Sequence, residues 1–194
     1  MQILLENNAD RLITNNYNQT PLHLAASSKL TSSPITLSSR LNYVIGAIDM
    51  LITINSDKIN IPNYLNMQDK NGDTVLHILA SRQEFAENKV FNEFILYLIK
   101  RGANVFAKNL SEQTPLHLAA TSGNLNMIKA LLRINNFADL VFRKIYIDTQ
   151  DIQGNTALHI IINNHYSKPN FVSLFSELTK RRASPSIRNN IGNN

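Results

Sequence analysis

The stretch Thr114-Pro115-Leu116-His117-Leu118-Ala119-Ala120 decides the fold of this chain. Close variants of it recur at 20–26, 74–80 and 156–162, at spacings of 54, 40 and 42 residues. Self-similarity over tens of residues is typical of proteins that stack one supersecondary unit many times. The sequence therefore predicts a repeat protein.

Each copy carries the signals that begin a helix. The Thr114 hydroxyl can accept a hydrogen bond from a backbone N–H of the first turn, and Pro115 suits the first helical position. Leu116, Ala119 and Ala120 follow at i, i+3 and i+4 and so form one stripe of the helix. Because two of the three are small, neighbouring helices can approach closely, as stacked units require.

A short polar segment precedes each of the four copies, at 15–19, 69–73, 109–113 and 151–155, and a fifth segment of the same kind lies at 189–193. Segment and helix together resemble the ankyrin repeat. The resemblance implies an all-α solenoid of helix-turn-helix pairs, with β-turn fingers formed by these segments and with irregular inserts. Asn18 and Glu112 stand where the finger has glycine. Asn tolerates a left-handed backbone, so we expect Asn18 to keep the turn and Glu112 to distort it or change its type.

We predict one ankyrin repeat domain over residues 1–194. It divides into a partial repeat (1–14), a repeat with two inserts (15–68), a repeat (69–108), a repeat with an apolar insert (109–150), a repeat (151–188) and the start of another (189–194). Segments 27–39 and 55–64 are expected to be loops. Segment 137–147 either covers the outer helices or is a docking site. Both ends fall inside repeats, which predicts an excerpt of a longer protein.

Composition excludes several kinds of site. The chain has no cysteine, so disulfides and thiolate metal sites are absent, and a reducing, cytoplasmic compartment is expected. No run is long and apolar enough to predict a membrane span. The net charge is +5, but the basic residues are scattered and cluster only at Lys180-Arg181-Arg182. We interpret that cluster as a solvated helix end, which makes nucleic acid an unlikely partner class.

Histidines recur at one position of the repeat, at 23, 77, 117 and 159. Packed helices lie about 8–10 Å apart, whereas two nitrogens on one zinc lie within about 4 Å of each other. Repeat-related histidines therefore cannot share a metal, and the resemblance implies that they join adjacent loops by hydrogen bonds. No nucleophile motif or phosphate-binding loop stands out. We predict no catalytic residue, no metal, no cofactor and no enzyme activity.

Function is interpreted in three ways. The resemblance implies a non-catalytic scaffold that binds a partner protein through the fingers and the concave inner-helix face. The alternative is a recruiting domain of a larger effector or enzyme of an intracellular bacterium or a virus, acting in the host cytoplasm. The third is a nucleic-acid binder, which a steep salt dependence of oligonucleotide binding would support.

The resemblance places partner binding at the finger tips and just after the inner helices. The predicted partner-binding residues are Asn16, Tyr17, Lys70, Asn71, Asp73, Arg82, Leu110, Ser111, Gln113, Ser122, Ile152, Gln153 and Asn155. Tyr17, Leu110 and Ile152 are the informative ones, because a turn tip has no need of a large apolar side chain. Either they anchor a partner, or Leu110 and Ile152 pack on the next finger.

Overall fold

A computed structural model describes residues 6–7, 9–28, 36–54, 59–85, 88–133 and 140–193, with only the backbone described at 140–143. All the secondary-structure elements of the described part are helices and none is a strand, which confirms the predicted all-α class. In chain order its α-helices are α1 (Pro21–Ser27), α2 (Leu37–Thr53), α3 (Ile61–Leu65), α4 (Val75–Ala80), α5 (Lys89–Lys100), α6 (Pro115–Ser122), α7 (Leu125–Leu132), α8 (Leu140–Ile147), α9 (Ala157–His165) and α10 (Phe171–Lys180). A 3-10 turn, Gln83–Phe85, joins α4 to α5.

The inner helices are α1, α4, α6 and α9, which begin at the four repeated stretches. They pack in succession, α1 on α4, α4 on α6 and α6 on α9, and the inner and outer helices of the first, third and fourth full repeats also pack on each other. The small residues of the stretch lie at these contacts, since Ala119 and Ala120 have no exposed surface. One continuous apolar core results, as expected of stacked units.

Repeat stacking continues through the fourth repeat. Ile161 and Ile162 replace the small alanines of α9, and from size alone we expect them to push neighbouring inner helices apart. That expectation is wrong, because α9 packs closely on α6 with Ile161 completely buried. Ile162 is only partly buried, so its extra bulk does not have to fit between the helices.

The connections between outer helix and next finger alternate between two forms. Segments 9–15, 102–109 and 182–189 are short, whereas α3 and α8 occupy the other two connections. Tyr64 and Tyr146 lie at matching places, five residues before a finger, and both are buried. The prediction of a loop over 55–64 is therefore wrong at its C-terminal end, where Asn60 caps α3 and Tyr64 enters the core. Residues 55–58 lie outside the described part.

The apolar insert is divided between core and surface. Tyr146 and Ile147 are buried, and the Tyr146 ring lies 4.9 Å from that of Phe106 in an edge-to-face arrangement. Ile145 is 57% exposed. The insert thus covers its neighbours with one face, as the first interpretation holds, and leaves another face to solvent. Residues 137–139 are outside the described part, as are 29–35 of the serine-rich insert. The prediction of a loop over 27–39 is wrong at its ends, because Ser27 ends α1 and residues 37–39 begin α2 after the cap at Thr36.

No helix in the described ranges is long and apolar enough to cross a bilayer.

Candidate protein-binding surface

The five fingers share one turn. In the second finger the Asp69 N–H donates to Asp73 O (3.0 Å) and the Gly72 N–H donates to Asp69 O (2.9 Å). The Asp69 carboxylate also accepts the N–H groups of Asn71 (2.8 Å) and Asp73 (3.0 Å). An acceptor side chain at the first position thus fixes the loop, which explains why every finger begins with Asn or Asp.

Glycine is not required for this turn. Asn18 has φ 55°, as expected, and Glu112 has φ 54°, both left-handed like Gly72 at 77°. The Glu112 N–H donates to Asn109 O at 2.9 Å, the same bond that Gly72 makes in its own finger. The prediction of a distorted or different turn at Glu112 is therefore wrong. The surrounding hydrogen bonds impose the turn, and the backbone of Glu112 adopts the strained φ.

A ladder of backbone hydrogen bonds joins each finger to the next. The second residue of a finger donates its N–H to the carbonyl of the third residue of the preceding finger. The bonds are Lys70 to Tyr17 (2.8 Å), Leu110 to Asn71 (3.0 Å), Ile152 to Ser111 (3.1 Å) and Asn190 to Gln153 (3.0 Å). Main-chain atoms therefore hold the fingers in register, and at the last finger the Asn190 side chain adds a bond by donating to Ile152 O at 3.1 Å.

The repeated histidines form a second set of ties. His117 Nδ1 accepts the Thr114 N–H at 3.1 Å, so the proton of the neutral ring is on Nε2, which donates to Asn155 O at 3.1 Å. His77 makes the same bond to Gln113 O at 2.9 Å. In the other two repeats the ring Nε2 atoms lie 3.1 Å from the carbonyl oxygens of the residues at 73 and 193. Each inner helix is thus tied to the next finger, in agreement with the role that the resemblance implies.

These histidines have the electrostatics of structural groups. Burial lowers the pKa of both His77 and His117 below the ordinary 6.5, because a charged ring loses its hydration inside the protein. Both ring nitrogens are already engaged by the backbone. Across the described residues, no group of three or more His, Asp or Glu side chains is placed to hold a metal ion.

Most of the predicted binding residues form one exposed row along the finger tips. The exposed members are Asn16, Tyr17, Lys70, Asn71, Leu110, Ser111, Ile152 and Gln153. The exposed fraction is 63% for Tyr17, 74% for Leu110 and 53% for Ile152. These apolar side chains thus present most of their surface to solvent.

Other predicted residues take part in the fold itself. Asp73, Gln113 and Asn155 are half-buried, and their carbonyls lie within hydrogen-bond distance of the histidines of the preceding repeat. Ser122 is half-buried, and its hydroxyl donates to Ala80 O at 2.7 Å. These residues lie beside the exposed row.

Arg82 requires a correction. Its sequence position, just after an inner helix, predicted an exposed side chain, but it is buried with 8% exposure. Nη1 donates to Ala26 O (2.5 Å), Nε donates to Glu84 (2.5 Å), and the guanidinium lies 4.7 Å from the centre of the Phe85 ring. Arg82 therefore joins the second repeat to the first and is not available to a partner.

The predicted set left out several exposed apolar residues, among them Ile191 and Leu24. Ile191 is 80% exposed at the third position of the last finger, the place that Tyr17 occupies in the first. Leu24 is 47% exposed on α1. The finger pattern itself contained the signal for Ile191, since residues 189–193 match the other fingers position by position.

Comparisons with known proteins agree with this architecture. A family model described as ankyrin repeats (3 copies) matches residues 42–139 and 85–177. A putative ankyrin repeat protein of Rickettsia felis is 33% identical over 116 residues, which are 56% of this chain and 50% of that protein. Human NF-kappa-B inhibitor zeta is 36% identical over 104 residues, 53% of this chain and 14% of that protein. A putative ankyrin repeat protein of fowlpox virus is 33% identical over 79 residues, 35% of this chain and 15% of its own length.

Proposed function

Because the chain belongs to the ankyrin repeat family, whose repeats imply a role in protein–protein interaction, we propose that its finger row binds a partner protein. The finger row is defined as the exposed residues Asn16, Tyr17, Lys70, Asn71, Leu110, Ser111, Ile152 and Gln153, to which Ile191 is added. The half-buried Asp73, Gln113, Ser122 and Asn155 flank it.

The observation that carries the proposal is that backbone hydrogen bonds hold the fingers in register while the apolar side chains at their tips remain exposed. The N–H groups of Leu110 and Ile152 belong to the ladder, yet their side chains are 74% and 53% exposed. Exposed apolar groups on a rigid backbone bind at low entropic cost, and a few such anchors supply most of an interface's energy. Packing on the next finger does not account for side chains that remain this exposed.

The chain is proposed to be non-catalytic and to act in a reducing, cytoplasmic compartment. The histidines, which are the chain's most regular chemical feature, are committed to backbone hydrogen bonds and are not free for acid–base work. Ankyrin repeats are typically interaction modules, which supports the same conclusion.

A second candidate is a recruiting domain of a larger protein, with the finger row selecting that protein's target. The observation that favours it is coverage: the chain spans about half the length of the Rickettsia felis relative and about a seventh of NF-kappa-B inhibitor zeta. Relatives from a bacterium and a virus make action inside a host cell part of this second proposal.

Photo-crosslinking tests the finger row directly. A benzophenone amino acid placed at Leu110 or Ile152 should crosslink a discrete protein in an extract of the cells in which the chain acts. Matched controls carry the same probe at Val172 and Tyr43, which are 72% and 63% exposed but lie on outer helices. Adducts that form at the control positions and not at the fingers would contradict the proposal.

A further inference from the structure

We propose that the chain has a second docking surface, which we call the basic rim and which fits an acidic segment of a protein. The rim consists of the exposed side chains of Lys100, Arg133, Lys144, Lys180, Arg182 and Arg188, at the C-terminal ends of α5, α7, α8 and α10 and in the segment after α10. It is separate from the finger row, so it can bind whether or not the fingers do.

Contacts between neighbouring elements bring these residues together. The Arg181 guanidinium donates to Leu132 O at 2.8 Å, which places the end of α10 against the end of α7. The Ser184 N–H donates to Asp148 Oδ1 at 2.8 Å, which joins the segment after α10 to the end of α8. The contact of Phe106 with Tyr146 joins α8 to the segment after α5.

The helix dipole explains some of the basic residues at these ends. Arg101 donates to Ile52 O at 3.1 Å and Arg181 donates to Leu132 O, so each guanidinium satisfies a carbonyl near the end of a neighbouring outer helix. The dipole also favours Lys100, Lys144 and Lys180, which lie in the last turns of their helices. No hydrogen bond or ion pair links any rim side chain to another residue in the described ranges, so the positive charge of the rim is available to a partner.

Nearby acids do not neutralise the rim. Glu177 lies 3.5 Å from the guanidinium of Arg181, which is not a rim residue, and Asp148 accepts the Ser184 N–H. The six rim charges outnumber Glu177 and Asp148, so the outer-helix ends from α5 onward attract anionic partners.

The side chains around the rim favour an acidic protein segment over other polyanions. Nucleic-acid surfaces interleave basic side chains with stacking aromatics, whereas Phe106 and Tyr146 pack against each other and Tyr146 is buried. Ile145, which follows Lys144 in the chain, is 57% exposed and offers a partner an apolar side chain next to a basic one. This pairing suits a peptide that carries both acidic and apolar side chains.

The test uses the full chain and a fluorescein-labelled peptide of Glu, Gly and Leu, with a peptide that has Gln for every Glu as the neutral probe. The rim variant combines Lys144→Glu and Lys180→Glu. The matched control combines Lys89→Glu and Lys168→Glu, two exposed lysines outside both the rim and the finger row, so that both variants change net charge equally. Far-UV circular dichroism verifies the fold of each, and a Lys→Gln version of the rim variant replaces it if charge reversal disturbs the helices.

Fluorescence anisotropy should show the acidic peptide binding the wild type, with an affinity that falls as salt rises, and little binding of the neutral peptide. The rim variant should bind about tenfold more weakly or worse, and the control should remain within about threefold of wild type. Equal losses in both variants would overturn the proposal, because they would show an effect of net charge alone. Tighter binding of single-stranded DNA, or of phosphatidylserine vesicles, than of the acidic peptide would also overturn it.

Discussion

The inter-finger contact predicts that chemically identical substitutions have opposite effects at two glycines. Gly72 has φ +77°, and a Cβ built there lies 2.8 Å from the Leu110 nitrogen and 3.0 Å from the Asn109 Cα. Left-handed backbone costs an L-residue about 1–2 kcal/mol, and weakening the Leu110 N–H to Asn71 O bond costs about 1 kcal/mol more. Loss of backbone freedom in the unfolded chain offsets about 0.4–1 kcal/mol of this. We therefore expect Gly72→Ala to lower the free energy of unfolding by about 2 kcal/mol.

Two further glycines separate the causes. Gly46 lies within α2 and has no atom within 4 Å of its built Cβ, so Gly46→Ala should raise the free energy of unfolding by about 1 kcal/mol through helix propensity alone. Gly192 has φ +83° but open space around it, so Gly192→Ala tests backbone strain without a clash and should cost less than Gly72→Ala.

Urea unfolding followed by far-UV circular dichroism measures all three changes against wild type, with the m-values compared to check that the same surface is exposed. Gly46→Ala should be more stable than wild type. Gly192→Ala should be less stable than wild type, and Gly72→Ala should be the least stable of all. If Gly72→Ala matches Gly192→Ala, the fingers do not approach each other as closely as described. If Gly46→Ala is destabilising, the open environment assigned to that helix face is wrong.

Three other predictions follow from the ties between repeats. Burial lowers the pKa of His77 and His117 below 6.5, so these histidines bind protons more tightly in the unfolded chain than in the folded one. Their contribution to the free energy of unfolding should therefore be fully present above about pH 6.5 and be lost as the pH falls through their folded-state pKa values. A melting temperature that is flat or rises from pH 7 to 5 would contradict this. Arg82→Met should lower the free energy of unfolding by about 2–3 kcal/mol, because it leaves the Ala26 carbonyl without its donor. Lys70→Met, at an exposed finger tip, should change it by less than about 0.5 kcal/mol. Equal effects of the two substitutions in urea unfolding would refute the role of Arg82 in joining the second repeat to the first. Chelation by EDTA should leave the melting temperature unchanged, since the recurring histidines bind backbone carbonyls, and a clear fall would show a metal that this account lacks.

The parts of the fold that depend on local chemistry could be predicted from the sequence. The threonine cap of each inner helix, the small residues at the helix contacts and the histidine ties all follow from one repeated stretch. The same is true of Asn18, whose ability to adopt a left-handed backbone is a property of the residue.

Features that depend on neighbours could not be predicted in this way. Glu112 keeps the turn because Asn109 and Gln113 hold it, a constraint that the residue's own preference does not contain. Arg82 has an exposed-looking position, and only the packing of two repeats shows its bond to Ala26. The helices α3 and α8, which occupy alternate connections, could not be predicted because the feature they share is one buried tyrosine and not a repeated sequence motif.

If the finger row is a binding surface, its side chains bind a partner without supporting the fold, and a comparison of two triple variants tests this. The finger variant combines Tyr17→Ser, Leu110→Ser and Ile152→Ser. The control variant combines Tyr43→Ser, Tyr166→Ser and Val172→Ser, which are 63%, 72% and 72% exposed but lie outside the fingers. The measurement is the Kd for the protein crosslinked at the fingers, together with the melting temperature of each variant.

Interface anchors are each worth about 2 kcal/mol or more, so the finger variant should weaken binding by at least about a hundredfold. Its melting temperature should stay close to that of wild type, and the control variant should bind normally. Unchanged binding with a lowered melting temperature in the finger variant would contradict the claim, because these side chains would then belong to the fold and not to the interface.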